Sequence, residues 1–372
     1  MSQIIGLLNC HNSPELGDLT SSRPLASTSF LGRFAFCDFA LSTFCNAGID
    51  AIGVLIKDHQ RSMLKHMGNL SSWTNNTKIG REVIFYNERG ILNPAYNTDV
   101  ANVKENDWVL YDSQASTIVV SSPHIVANID LLPIIEEHMA RGEDLTVVYK
   151  PIKDADKEFI GSYVFKVDKD GYVVETAKNA GRKKEANVSL EVWIMNRDVL
   201  FEILKAHERV DMSFGFRETM EYLLKAGRIK VHAVPWTGYA RRFDSFKHYI
   251  DYSFEMLNPE IAASLFVKER PIYTLTHDTP PAIYGSKANV SDSFVSNGCI
   301  VEGTVRHSII CRDVKVGKDA VVEDSIVFSN VSIGDKATVK NCVIDKYSII
   351  TARHAIEGDG KTPIYLKQGA IL

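Results

Sequence analysis

The residues best placed to do chemistry lie near the start of the chain. There the apolar run Ile4-Ile5-Gly6-Leu7-Leu8 meets the loop Asn9-Cys10-His11-Asn12-Ser13-Pro14-Glu15-Leu16-Gly17-Asp18, and Arg33 to Ala47 reads as a helix. Strand, loop and helix in that order form the place where α/β domains seat a phosphate. Such a loop normally uses glycine, because only a residue without Cβ lets backbone N–H groups close on a phosphate, and a basic residue to offset its charge. Between Leu8 and Leu16 there is no Gly, Lys or Arg, and position 15 is Glu. His11 and His124 have the chemistry of general bases. Neither has a Ser, Cys or carboxylate partner that spacing places beside it, so both are expected to be structural or solvent-facing. The six cysteines, at 10, 37, 45, 299, 311 and 342, show no CxxC pair and no His at metal-ligand spacing. They read as reduced, buried small hydrophobes, with no metal site among them.

The elements that must carry this loop alternate. In the helix, Phe36, Phe39, Ala40, Thr43, Phe44 and Ala47 share one face, which reads as core, and Gly48 stops it. Ala51–Ile56 is short and apolar enough for a buried parallel strand. A helix is expected near Ser62–Met67, and the polar stretch Ser71–Asn106 gives no clear period. Strand Ile118–Val120 ends in Ser121-Ser122-Pro123-His124, helix Asp130–Arg141 ends at Gly142, and Leu145–Tyr149 is a strand. Tyr163–Val167 and Tyr172–Val174 flank a turn as a hairpin. Val192–Met195 and Val231–Val234 are strands, with helices near Asp198–His207, Glu218–Ala226 and Asp244–Leu257. The pattern predicts a Rossmann-like α/β domain with a mostly parallel sheet over residues 1–258, then a proline-marked linker over 259–287.

From residue 288 to 372 the chain repeats. Val305, Val322 and Val339 are 17 apart, as are Ile309, Ile326 and Val343, then Ile310, Val327 and Ile344, then Val316, Ile333 and Ile350. Ser293-Phe294-Val295 precedes them at an offset of 15 from Ser308-Ile309-Ile310. β-Branched residues in fixed columns with small residues between them predict a left-handed parallel β-helix of hexapeptide type. A net charge of −4 argues against a nucleic-acid partner or an anionic membrane. No run of about 18 apolar residues and no leader-like start are present, so no membrane span and a cytoplasmic location are expected.

The segment Asp18-Leu19-Thr20, Arg23, Gly32-Arg33-Phe34, Cys37-Asp38-Phe39-Ala40-Leu41-Ser42 and Asn46-Ala47-Gly48-Ile49 resembles the ADP-glucose pyrophosphorylase family without a gap from Leu16 to Ile49. The likeness continues through Val54, His66, Trp73, Pro271-Ile272-Tyr273-Thr274 and Gly298-Cys299-Ile300-Val301. It implies a GT-A-like nucleotidyltransferase domain followed by the β-helix. It also implies an enzyme joining ATP to glucose 1-phosphate with Mg²⁺ and loss of pyrophosphate. The departures fall at the chemistry. The family's glycine-rich loop corresponds to Asn9–Ser13, its phosphate-binding Arg to Glu15, and the Lys of its RAKP motif to Leu25. The Asp of its GDH motif corresponds to Pro123 and the Asp of its DVGT motif to Arg242. Its EKP motif survives only as Ala177-Lys178-Asn179. A Glu repels a triphosphate and a Pro cannot ligate a metal, so the expectation is no catalytic residue, no metal and no bound Mg²⁺·ATP.

This pattern is similar to that of the family's non-catalytic subunits. It implies a regulatory chain that activates a catalytic ADP-glucose pyrophosphorylase partner in a hetero-tetramer, with homo-oligomers possible for the chain alone. The alternative is an active glucose-1-phosphate adenylyltransferase with a rebuilt site. Arg33 stands where the family has a lysine implicated in sugar-phosphate effectors, and Arg23 is retained, so both are candidate anion contacts against the plainer readings of a solvated arginine and an ion pair. Lys178 reads as a solvated loop lysine. Asp99 falls in a GTAD-like region that lacks its Gly, and His307 is the residue an acyltransferase reading would need.

Overall fold

The computed structural model describes residues 4–74, 81–86, 93–113, 115–360 and 362–372. The weakly periodic stretch lies partly outside these, as do the residues preceding Ile4. A nine-stranded sheet forms the first domain from β1 (Ile4–Asn9), β2 (Ala51–Leu55), β3 (Arg81–Phe85), β4 (Thr117–Ser121), β5 (Leu145–Ile152), β6 (Tyr163–Val167), β7 (Val173–Lys178), β8 (Ala186–Asn196) and β9 (Val231–Pro235). The order is β7-β6-β8-β4-β1-β2-β3, with β5 pairing β8 and β9 pairing β5. Strands β4, β1, β2 and β3 run parallel, so Asn9 and Ser121 end neighbouring strands on one edge, where ligands of open α/β sheets bind.

Several elements differ from their sequence outlines for identifiable reasons. The helix begins at Phe36, not Arg33, because Ser29–Phe30 and Phe34–Ala35 pair as a small hairpin around Leu31-Gly32. It runs to Asn46, and Phe36 to Cys45 are buried on every side, not along one face, because the sheet and the β-helix both pack on it. Strand β8 is far longer than its apolar centre suggested, and its register shifts between Ser189 and Val192, where Glu191 takes a φ of 55°. That shift is a β-bulge, which re-aims a side chain toward a site. Pro259 opens a helix, Pro259–Leu265, capped by the Asn258 side chain, and Ile283–Tyr284 already pairs with Ile300–Val301. The connecting segment is therefore shorter than its prolines implied.

The repeats build a left-handed parallel β-helix of three five-stranded sheets. Its interior holds Val301, Val316, Ile333 and Ile350 from one sheet, Val305, Val322 and Val339 from the second, and Ile310, Val327 and Ile344 from the third. The three outer faces differ. Ile309, Ile326 and Val343 point outward from the third sheet yet are fully buried, because they join Phe30, Phe36, Phe39, Phe243 and Tyr249 in a core shared with the first domain. On the second, Glu323 binds Arg306 at 3.1 Å and Lys340 at 3.0 Å across successive coils. The first carries exposed isoleucines. Among the described residues no helix is long and apolar enough to cross a membrane.

Candidate functional site

At the end of β1 the loop is held inward by a buried carboxylate. Asp99 accepts hydrogen bonds from the Asn9 and Asn12 amides at 2.7 and 3.0 Å, and from the Val100 and Phe216 backbone N–H groups at 2.9 Å each. His11 N–H donates to Asn9 Oδ1 at 3.0 Å, and the His11 ring lies against the Asn97 carbonyl and the Asn102 amide at 3.3 and 3.0 Å. Burial holds the His11 ring below its ordinary pKa, so it is neutral and structural. Donors that could face a phosphate are spent on an internal anion. Sequence reading left Asp99 aside for want of its glycine. Its acidic first-turn position after the cap Thr98 was the available signal. Glu15 and Leu25 do come together. They line one cavity of about 410 Å³ with Asp18, Asp58, Lys57 and His59, a rim richer in carboxylates than in cations.

The second pair also meets. Ile125–Ala127 pairs antiparallel with Ala240–Arg242, and Phe243 N–H donates to the His124 carbonyl at 2.9 Å, which sets the Pro123 turn beside Arg242. Arg242 donates to the Ile160 carbonyl and lies 3.5 Å from Asp244. Asp244 is itself engaged by His248 Nδ1 at 2.6 Å. Arg217 pairs at 2.9 Å with Glu191, the residue that the bulge turns inward. Where a divalent cation would need two carboxylates, this chain presents a proline with no donor atom and a guanidinium. The nearby carboxylates are already paired with Arg, so the residues do not fit a divalent ion. Lys178 lies 6.0 Å from the Tyr163 ring centre and faces no such site. On the β-helix His307 bonds Asp324 at 2.7 Å and stacks on Phe254, as a surface support.

His124 is wholly buried. Burial first, then Arg217 and Arg242, push its pKa well below the usual value. Burial likewise lowers His138 and His207. Below about pH 6.5 the unfolded chain takes up protons that the folded chain refuses, so stability is complete above that pH and falls as pH drops toward the folded values. For His124 the slope approaches about 1.4 kcal/mol per pH unit well below pH 6.5 and averages about half of that between pH 7.5 and 5.5. Urea midpoints at pH 7.5 and 5.5 measure it, and His124→Gln should flatten the slope by one histidine's share.

The two candidate anion contacts separate. Arg23 is 3% exposed and its guanidinium pairs with Asp345 of the β-helix, over the Phe328 ring at 5.6 Å. Asp345 also accepts from Tyr365 OH at 2.6 Å. Arg23 is thus a buried cross-domain ion pair. Arg33 lines a cleft of about 270 Å³ between the domains with Lys65, His66, His277, Arg312 and Lys346, where Asp313 is the one carboxylate. Burial lowers the pKa of Lys346, aided by Arg23, and that of Arg312, aided by Arg33. Cations held this close without matching anions are stabilised when an anion enters. Sequence reading missed Lys65, Arg312 and Lys346 because they converge only when the domains pack. Beneath the cleft Cys37, Asp38 and His66 bring ligand atoms within 4.8 Å of one another. Asp38 is committed there to Ala35 N–H and His66, at 2.9 and 2.6 Å.

An open, mostly parallel α/β sheet followed by a hexapeptide β-helix defines a nucleotidyltransferase architecture, and comparison with known proteins agrees. The nucleotidyl transferase family model matches residues 14–234, and the GlmU-like C-terminal hexapeptide model matches residues 280–362. The chain belongs to the nucleotidyl transferase family, and its full-length relatives put it in the ADP-glucose pyrophosphorylase branch, of the GlgD type. It is 26% identical to the glycogen biosynthesis protein GlgD of Bacillus subtilis over 96% of this chain and 93% of that protein. The GlgD of Geobacillus stearothermophilus is 25% identical, over 86% and 83%. The glucose-1-phosphate adenylyltransferase of Desulfitobacterium hafniense is 26% identical, over 92% and 86%.

Proposed function

We propose that the chain is a non-catalytic regulatory subunit in bacterial glycogen biosynthesis. It binds a catalytic ADP-glucose pyrophosphorylase subunit in a cytoplasmic hetero-tetramer and raises its rate. The observation that carries this reading is the short ladder that sets the Pro123 turn near Arg242, where the resemblance expects metal carboxylates. Without them the chain has no means to neutralise charge developing on a polyphosphate, and Mg²⁺ and ATP are not its cofactors. Its role is then to favour, by interface contacts, the active conformation of its partner. The cleft around Arg33 gives this role an input. A phosphate-bearing metabolite seated among Arg33, Arg312 and Lys346 would bear on both domains at once.

The test mixes the chain with a catalytic subunit and follows ADP-glucose formation together with complex mass. The expected gain is roughly 5- to 150-fold at saturation, the usual span of coupling between sites. A rate unchanged by saturating amounts of a chain that does bind would refute activation. A hexose bisphosphate should bind the chain alone in calorimetry, and Arg33→Ala should weaken that binding about tenfold while leaving the complex intact.

A further inference from the structure

Two of the β-helix faces are accounted for: one lies in the core shared with the first domain, and the other is crossed by ion pairs between successive coils. On the remaining face the sheet register stacks one outward column, Ile283, Ile300, Lys315, Ser332 and Ile349, and a bridge from Ile349 adds Ile371. The four isoleucines are 59, 37, 43 and 69% exposed in chain order. Isoleucine repeated at the outward position of a solvent-facing sheet is costly to leave wet and marks a contact surface.

The pattern says what covers it. Read down the stack, the column is apolar, apolar, polar, polar, apolar, apolar, and therefore reads alike in both directions. We propose that this face is a two-fold interface between two copies of this chain. The axis lies along the strand direction, midway between the coils of Lys315 and Ser332. Rotation about it reverses the stack while keeping each column opposite itself. Ile283 then meets Ile371, Ile300 meets Ile349, and Lys315 meets Ser332. Self-complementarity of residue i to j and j to i is what an isologous contact requires.

Six coils at about 4.8 Å, each presenting about 15 Å of strand and corner, cover roughly 430 Å² per copy. That is below the roughly 800 Å² per partner of a standard interface, so the dimer is expected to dissociate in the micromolar range. The inference does not depend on the regulatory reading, since it concerns the purified chain without any catalytic subunit.

Sedimentation of the full chain from about 1 to about 100 µM tests it, with circular dichroism showing that the variants fold. The expected result is a monomer–dimer equilibrium that Ile300→Lys or Ile349→Glu alone shifts to monomer. The double variant should restore the dimer, because the geometry sets each new lysine opposite the other copy's new glutamate. A wild-type chain that is monomeric throughout, or single variants that dimerise like wild type, would overturn the interface. Failure of the double variant to recover would overturn the two-fold pairing.

Discussion

Purified alone and supplied with ATP, glucose 1-phosphate and Mg²⁺, the chain is expected to form no ADP-glucose above background. Removing one well-placed electrostatic group from an active site costs roughly 10²- to 10³-fold in rate. On the proposed reading two such positions hold Pro123 and Arg242 instead, and the second would put a positive charge where a cation would sit. Restoring both carboxylates, as P123D with R242D, should still leave the chain inactive. Losing Arg242 strips the Ile160 carbonyl of its donor, and the β1 loop stays tied to Asp99 through Asn9 and Asn12, so the triphosphate still meets no prepared surface. Product formation by the unmodified chain, followed by a coupled pyrophosphate assay, would sink the non-catalytic reading and favour a rebuilt adenylyltransferase.

Arg23→Ala is expected to be the most destabilising single change at the joint, costing about 3–5 kcal/mol, because it leaves Asp345 buried without its counter-ion. Tyr365 OH would still donate to Asp345, but one neutral hydrogen bond does not replace a buried guanidinium. Removing both partners, Arg23→Ala with Asp345→Ala, should cost less than the sum of the two single changes, since the double variant strands no charge. Urea midpoints of the four proteins close this cycle. Additive costs would mean that the two residues stabilise the joint independently.

The β-helix was the most readable part of the chain, because each coil repeats the same demand. An interior column must be β-branched and apolar, and Val305, Val322 and Val339 declare it without knowledge of anything distant. The sheet was readable where a strand is buried on both faces, as at β1 and β4. It was not readable at β3, which lies at the sheet's edge, or over the full length of β8, whose bulge turns polar Ser189 and Glu191 into the interior. At the site, the replaced positions were visible one by one. Their meeting depends on a three-residue ladder between Ile125–Ala127 and Ala240–Arg242, over a hundred residues apart in sequence, and no local pattern encodes it. Arg23 and Arg33 were both candidate anion contacts, one against a plain ion pair and the other against a solvated arginine. Only the packing of the β-helix gives one a buried partner in Asp345 and leaves the other facing a cleft of like charges.

The core that Phe30, Phe36 and Tyr249 share with Ile309, Ile326 and Val343 makes the two halves of the chain one mechanical body. A ligand arriving in the cleft beside it would sit against this shared core. What it can do is relieve repulsion among the cations that line the cleft and so tighten the seam. The message to a partner would then travel as stiffness of the joint, with little change of shape.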